Sequence, residues 1–265
     1  MLVIDKIQTN CKIIFAQRKP LRFIMSRILM FAKISERIIF RRDGYKLRFY
    51  PSSLSAALWI DHSERLDEES YIKSLIKKGD TVVDVGANIG TISLAMAEIV
   101  GSNGKIFSIE PNPEIFNYLT QNIELNGLEN IIEARCIALG QNNEEMFLSQ
   151  FSDDTQNRIS NEGDLRIPVK RLDEVFPNIN IDFLKIDVEG YEYNVLKGGE
   201  SLCKRCKAVY LECIPEMLEV NSSNEEQLVN LLEEYGFLVY CVTDAGLIKN
   251  KLGSSRKKML LGLRD

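Results

Sequence analysis

The sequence predicts an α/β fold: a mostly parallel, seven-stranded sheet with helices on both faces, preceded by an N-terminal helix and a hairpin. Three observations predict it. From residue 81 onward, apolar β-branched runs alternate with segments of helical period, the pattern of strands joined by crossover helices. The first run, with Val82, Val83 and Val85, reads as a strand buried on both faces. It leads through TVVDVGANIG (81–90), a turn too tight for most side chains, into a helix that carries Ile92 and Met96. At 265 residues and 45% hydrophobic the chain can bury one sizeable core, assigned to residues 69–265, with a basic extension over 1–68.

The extension comes first. Residues 1–50 carry twelve Lys and Arg against three acids, +9, and the remainder twenty-one against thirty-five, −14, so a basic arm leads an acidic body. Within the arm, residues 21–35 set Ile24, Ile28, Phe31 and Ala32 on one helical face, with Arg27 and Lys33 elsewhere around it. The apolar stretch is too short to span a bilayer and no small-residue cleavage site follows it. That face is expected to pack on the body or on a second subunit; peripheral contact of residues 21–36 with an anionic membrane is the alternative. A cytoplasmic location follows, with the inner face of the membrane as its variant. Asp43 and Gly44, between Ile38–Phe40 and Tyr45–Tyr50, predict a hairpin. Residues 51–69 read as an irregular polar lid holding the only Trp, Trp59, and the only His, His62.

In the body, 105–109 is the second strand and 114–125 a helix ended by Asn126 and Gly127. Residues 131–139 form the third strand, 182–188 the fourth, followed by a helix over 192–202, and 208–213 the fifth. A helix over 225–235 stops at Gly236, and 237–242 and 258–263 close the sheet. Residues 142–175, with short strands at 145–150 and 166–171, are a less regular insertion above the strand ends that could shape a substrate pocket. Six cysteines without a signal peptide suggest reduced thiols; Cys203 and Cys206 lack a second pair at metal-ligand spacing and read as core residues.

The glycine turn is the first site signal. A dinucleotide fingerprint is GxGxxG, with its middle glycine beneath the pyrophosphate; here Asn88 stands in that place, which argues for a ligand that meets the loop without phosphate, such as S-adenosylmethionine. Gly86 is expected to leave room for that ligand, so that Gly86→Val abolishes its binding with the fold largely intact. Glu110 falls twenty positions after Gly90, at the tip of the second strand, where a carboxylate can accept from both hydroxyls of a ribose. Asn112 beside it suits a helix cap or a cofactor contact. Ala138 and Leu139, at the end of the third strand, offer an apolar slot for an adenine. Asp187, Glu189 and Glu212 end the fourth and fifth strands on the same rim. If the strand continues, alternation sends Asp187 and Glu189 to opposite faces, so one is expected to act as a base on the substrate and the other to hold the turn at Gly190. His62 is a rival base and a hard cation on the three carboxylates a rival activator, although no dedicated metal site is expected.

DVGANIG, IEPNP, QNIELNGL, RLDEV and FLKIDVEGYEYNVLKG, in this order over roughly residues 69–236, resemble the FkbM family of S-adenosylmethionine-dependent methyltransferases. The resemblance implies a Rossmann-like class I methyltransferase that methylates a hydroxyl of a sugar, polyketide or related natural product. Carried onto this chain, it assigns Asp84, Gly86, Asn88, Gly90 and Glu110 to the cofactor and Asp187, Glu189 and Glu212 to the reaction side. The expected partner is a small-molecule or glycan hydroxyl acceptor, and an oligomer is allowed. A nicotinamide-type dehydrogenase lacks its fingerprint here, and an acidic body suits nucleic acid poorly. The remaining rival is an inactive scaffold that keeps the fold without turnover.

Overall fold

A computed structural model describes residues 18–149, 159, 160, 162, 163, 165–243, 245–249 and 257–264. Residues 1–17 of the basic arm, the strand position expected at 150 and the insertion over 151–158 lie outside these. The chain enters through a helix, Pro20–Phe31, whose proline sits in the first turn, where no amide is needed for an intrahelical bond. A hairpin follows, β1 (Ile39–Arg41) against β2 (Lys46–Arg48), with Phe40 opposite Leu47. The stretch expected as an irregular lid is largely helical. Ser53–Ile60 is capped by Ser52, whose hydroxyl accepts from the Ser55 amide at 3.2 Å; it is apolar nearly all round and so carries no periodic signal. Leu66–Leu75 is a second helix.

This N-terminal part is built into the body. Arg42 and Tyr45 of the hairpin donate to Glu69 Oε1 at 2.5 and 3.0 Å. The buried Asn122 accepts from the Arg48 amide at 3.0 Å and donates to the Ile89 carbonyl at 2.9 Å, joining the hairpin edge to the glycine turn. Phe40, Leu47, Phe49, Leu58 and Ile72 share one apolar core with Val82, Met96 and Ile106. The boundary expected at residue 68 falls inside the Leu66–Leu75 helix.

The main sheet begins with β3 (Thr81–Val85), β4 (Lys105–Ile109) and β5 (Ile132–Arg135). The expected third strand splits after Arg135: β6 (Ala138–Leu139) leaves for a second, four-stranded sheet with β7 (Glu144–Leu148), β8 (Ile159–Ser160) and β9 (Leu165–Lys170), in the order β6-β9-β7-β8. The main sheet continues with β10 (Phe183–Ile186), β11 (Ala208–Cys213), β12 (Leu238–Thr243), β13 (Gly246–Lys249) and β14 (Lys258–Leu263). Its order is β13-β12-β14-β11-β10-β3-β4-β5. The sheet thus has eight strands rather than the seven expected, because β13 pairs antiparallel with β12 and adds an edge. From β5 to β11 the pairing is parallel; β14, β12 and β13 are antiparallel.

The chain leaves β3 toward β4 on one side, and β10 lies on the other, so the strand order reverses beside β3. A crevice opens at such a reversal, beyond the carboxyl ends of the strands. Register places Val85 beside Ile186 and Ile109, so Gly86, Glu110 and Asp187 emerge at one rim. No helix among the described residues is long and apolar enough to cross a membrane.

Candidate active site

A pocket of about 770 Å³, its open mouth included, occupies this rim. Its polar lining is Arg65, Gly86, Asn88, Glu110, Asp187 and Glu189; Pro111, Ile137, Ala138, Leu139 and Leu148 supply apolar walls. The glycine turn is organised by contacts behind it. Gly86 has φ +78°, and an added Cβ would lie 1.8 Å from the Asp187 carbonyl oxygen. The expected reason for this glycine is therefore corrected: it makes room for the neighbouring strand end, and a larger residue would break the fold locally. Gly90 has φ +94°, and its missing side chain is replaced by Leu119 of the Pro113–Asn126 helix, off the pocket. Asn88 adopts a left-handed φ of +49° and lines the pocket.

Glu110 is held in place by two amides: Asn88 donates to Oε2 at 3.0 Å and Asn112 to Oε1 at 2.9 Å. Each oxygen keeps a further lone pair, and the group lines the pocket. Burial pushes its pKa up to about 7 against those two donors. Asn112 is a cap, its Oδ1 accepting from Glu114 at 3.0 Å, and it does not line the pocket. Ala138 and Leu139 do line it, although from the second sheet. A carboxylate aimed at a diol, an apolar slot and mixed charges beside Gly86 fit the parts of S-adenosylmethionine.

On the opposite wall, a buried lysine organises the carboxylates. Lys185 Nζ lies 3.2 Å from Asp84 Oδ1 and 3.4 Å from Asp187 Oδ2, and donates to the Gly86 carbonyl at 3.2 Å. Asp84, which also accepts from Ser93 at 2.6 Å, is thereby buried behind the loop and does not line the pocket. Burial alone would lower the Lys185 pKa; its two carboxylates outweigh that and raise it. Burial likewise opposes the charge on Asp187, yet Lys185, Arg65 and Lys257 hold its pKa below the usual carboxylate range. Glu189 goes the other way. Burial, then Asp187 and Glu212, push it up to about 7.

The opposite-face placement of Asp187 and Glu189 requires the strand to continue, and it does not: β10 ends at Ile186, Glu189 takes a left-handed φ of +53°, and both line the pocket. Glu192 fixes this turn, its Oε1 accepting from Val188 and Gly190 at 3.1 and 3.2 Å. Glu212 pairs with Lys257 through one oxygen, and its other, buried oxygen has no hydrogen-bond partner among the described residues. Oxygens of Asp187, Glu189 and Glu212 lie within 4.8 Å of one another.

His62 does not line the pocket. Its ring packs edge-on to Phe40 at 5.7 Å, and burial, then Arg22, Arg42 and Lys19, lower its pKa, so the rival base falls away on position. Lys185, Glu192 and Arg65 were missed. A lysine in a strand looks solvent-facing, and Arg65, at the start of the Leu66–Leu75 helix with φ +61°, sits in a polar run without motif. The repeated acids of KIDVEGYE were the only signal for Glu192.

The sequence model of the methyltransferase FkbM domain matches residues 84–239, a span that holds every lining residue named except Arg65. The hexuronic acid methyltransferase AglP of Haloferax volcanii is 29% identical over 177 residues, 64% of this chain and 71% of its own. Methyltransferase sdnD of Sordaria araneosa is 27% identical over 233 residues, 74% of this chain and 87% of its own.

Proposed function

This chain belongs to the methyltransferase FkbM domain family, and we propose on that premise that it methylates a hydroxyl of a sugar, glycan or related natural product. It is an S-adenosylmethionine-dependent methyltransferase. The acceptor class is supported by the relative named for hexuronic acid and by one observation in the pocket: a carboxyl, Glu189, with its pKa near 7 at the rim. A neutral hydroxyl is a poor nucleophile until its proton leaves, and a base poised near the working pH takes that proton best.

When bound, S-adenosylmethionine supplies an electrophilic methyl carbon on a sulfonium, so the attacking oxygen needs alignment and little else. Glu110 would accept from the ribose hydroxyls, and Ala138 and Leu139 would wall the adenine. Asp187, held ionised by Lys185, would offset the positive charge of the donor. Glu189 takes the acceptor's proton onto its carboxylate. The carboxylate expected as base is thus narrowed from the pair Asp187 and Glu189 to Glu189, since Asp187 is too weakly basic.

The test is Glu189→Gln. Donor affinity by isothermal titration should hold, while labelled methyl transfer onto activated sugars, glycolipids and oligosaccharides falls by about 10²–10⁴-fold. Undiminished transfer would refute the assignment. A cation on Asp187, Glu189 and Glu212 is a second reading, supported by their 4.8 Å clustering; loss of transfer in chelator, restored by a divalent ion, would favour it. A chain that binds no donor in titration would instead be the inactive scaffold.

A further inference from the structure

The Pro20–Phe31 helix packs on the body with one side and leaves an apolar side in water. Ser26 is buried, Leu29 and Met30 pack on the core, and Arg22 reaches the Trp59 and Ile60 carbonyls at 3.3 and 3.5 Å. The face expected to pack is the one left out: Leu21 is 79% exposed, Met25 51%, Ile28 60% and Phe31 93%, with Ile24 between them on the same arc. The same stretch of chain is basic: Arg18, Arg27, Lys33, Arg37 and Arg41 are all exposed, and Glu36 is the only acid among residues 18–42. We propose that this helix lies in the headgroup layer of an anionic lipid surface.

Charge selects that occupant. A second copy docked through the same face would bring its own basic rim against this one, and like charges facing across an isologous interface repel. An anionic leaflet supplies the opposite sign, and the net −14 of residues 51–265 turns the body away from it, so both ends favour one orientation. The arc suits the boundary between headgroups and acyl chains, where apolar side chains are buried while cations remain wet.

The full chain should co-sediment with phosphatidylcholine vesicles containing phosphatidylserine and stay in solution with phosphatidylcholine alone. High salt should release it. The pair Ile28→Asp and Phe31→Asp should abolish binding, and Lys33→Ala should weaken it about fivefold, with thermal unfolding unchanged because these side chains are exposed. Equal uptake by both vesicle types, or undiminished uptake by the Ile28→Asp and Phe31→Asp variant, overturns the proposal. So does a dimer in sedimentation equilibrium that this variant dissolves, with no vesicle uptake by either form.

Discussion

At the scale of single residues, two carboxyls titrate near 7 and should be separable by what each disturbs. Glu110 serves as an acceptor of hydroxyl hydrogens when ionised, so donor affinity should rise between pH 6 and 8 in titration calorimetry. Glu110→Gln should weaken binding and flatten that slope. Glu189 governs the chemical step, and the rising limb of kcat near pH 7 should vanish in Glu189→Gln. Lys185→Met should be severe for a different reason. It leaves Asp84 and Asp187 facing each other without their shared cation in a buried site, a change that costs about 3–5 kcal/mol and is read by denaturant unfolding. Asp187→Ala should weaken donor binding, since Asp187 meets the pocket as a fixed charge. A lysine inside an otherwise apolar strand has no local explanation; only the neighbouring strand's Asp84 accounts for its burial, and that pairing is a tertiary fact.

At the scale of elements, the strands that end at the site were legible with nearly their final bounds, because a strand buried on both faces must be apolar throughout. β4 and β11 lie where the apolar runs place them. The third strand was not, because 131–139 reads as one continuous strand although two sheets share it, and nothing local marks where the chain changes partners. Turns were the least legible, since their residues answer to other elements. Gly86→Ala should cost about 1–3 kcal/mol or more in denaturant unfolding, as its methyl would meet the Asp187 main chain rather than any ligand. Asn122→Ala should cost about 1–3 kcal/mol, because the Arg48 amide and Ile89 carbonyl lose their shared partner.

For the whole molecule, burial sets an unusual pH response. Glu110 and Glu189 are pushed up to about 7 and Glu192 to about 8, against an ordinary value of 4.5. Such groups hold protons more tightly folded than unfolded, so their contribution is fully present below about 4.5 and is lost as pH rises through the folded values. The melting temperature should therefore decline from pH 5 to pH 8. Glu192→Gln, which keeps an oxygen for Val188 and Gly190, should decline less.

The hairpin and the Leu66–Leu75 helix bear on where this enzyme can be divided. The stretch recognisable as a methyltransferase begins at residue 84, yet Phe49, Leu58 and Ile72 fill the same core as Val82, and Arg65 lines the pocket. The heritable module and the folding unit therefore have different borders. A fragment cut at residue 84 would bare one side of its own core and lose a wall of its pocket, so a family alignment marks where the chemistry is shared and not where the protein can be cut.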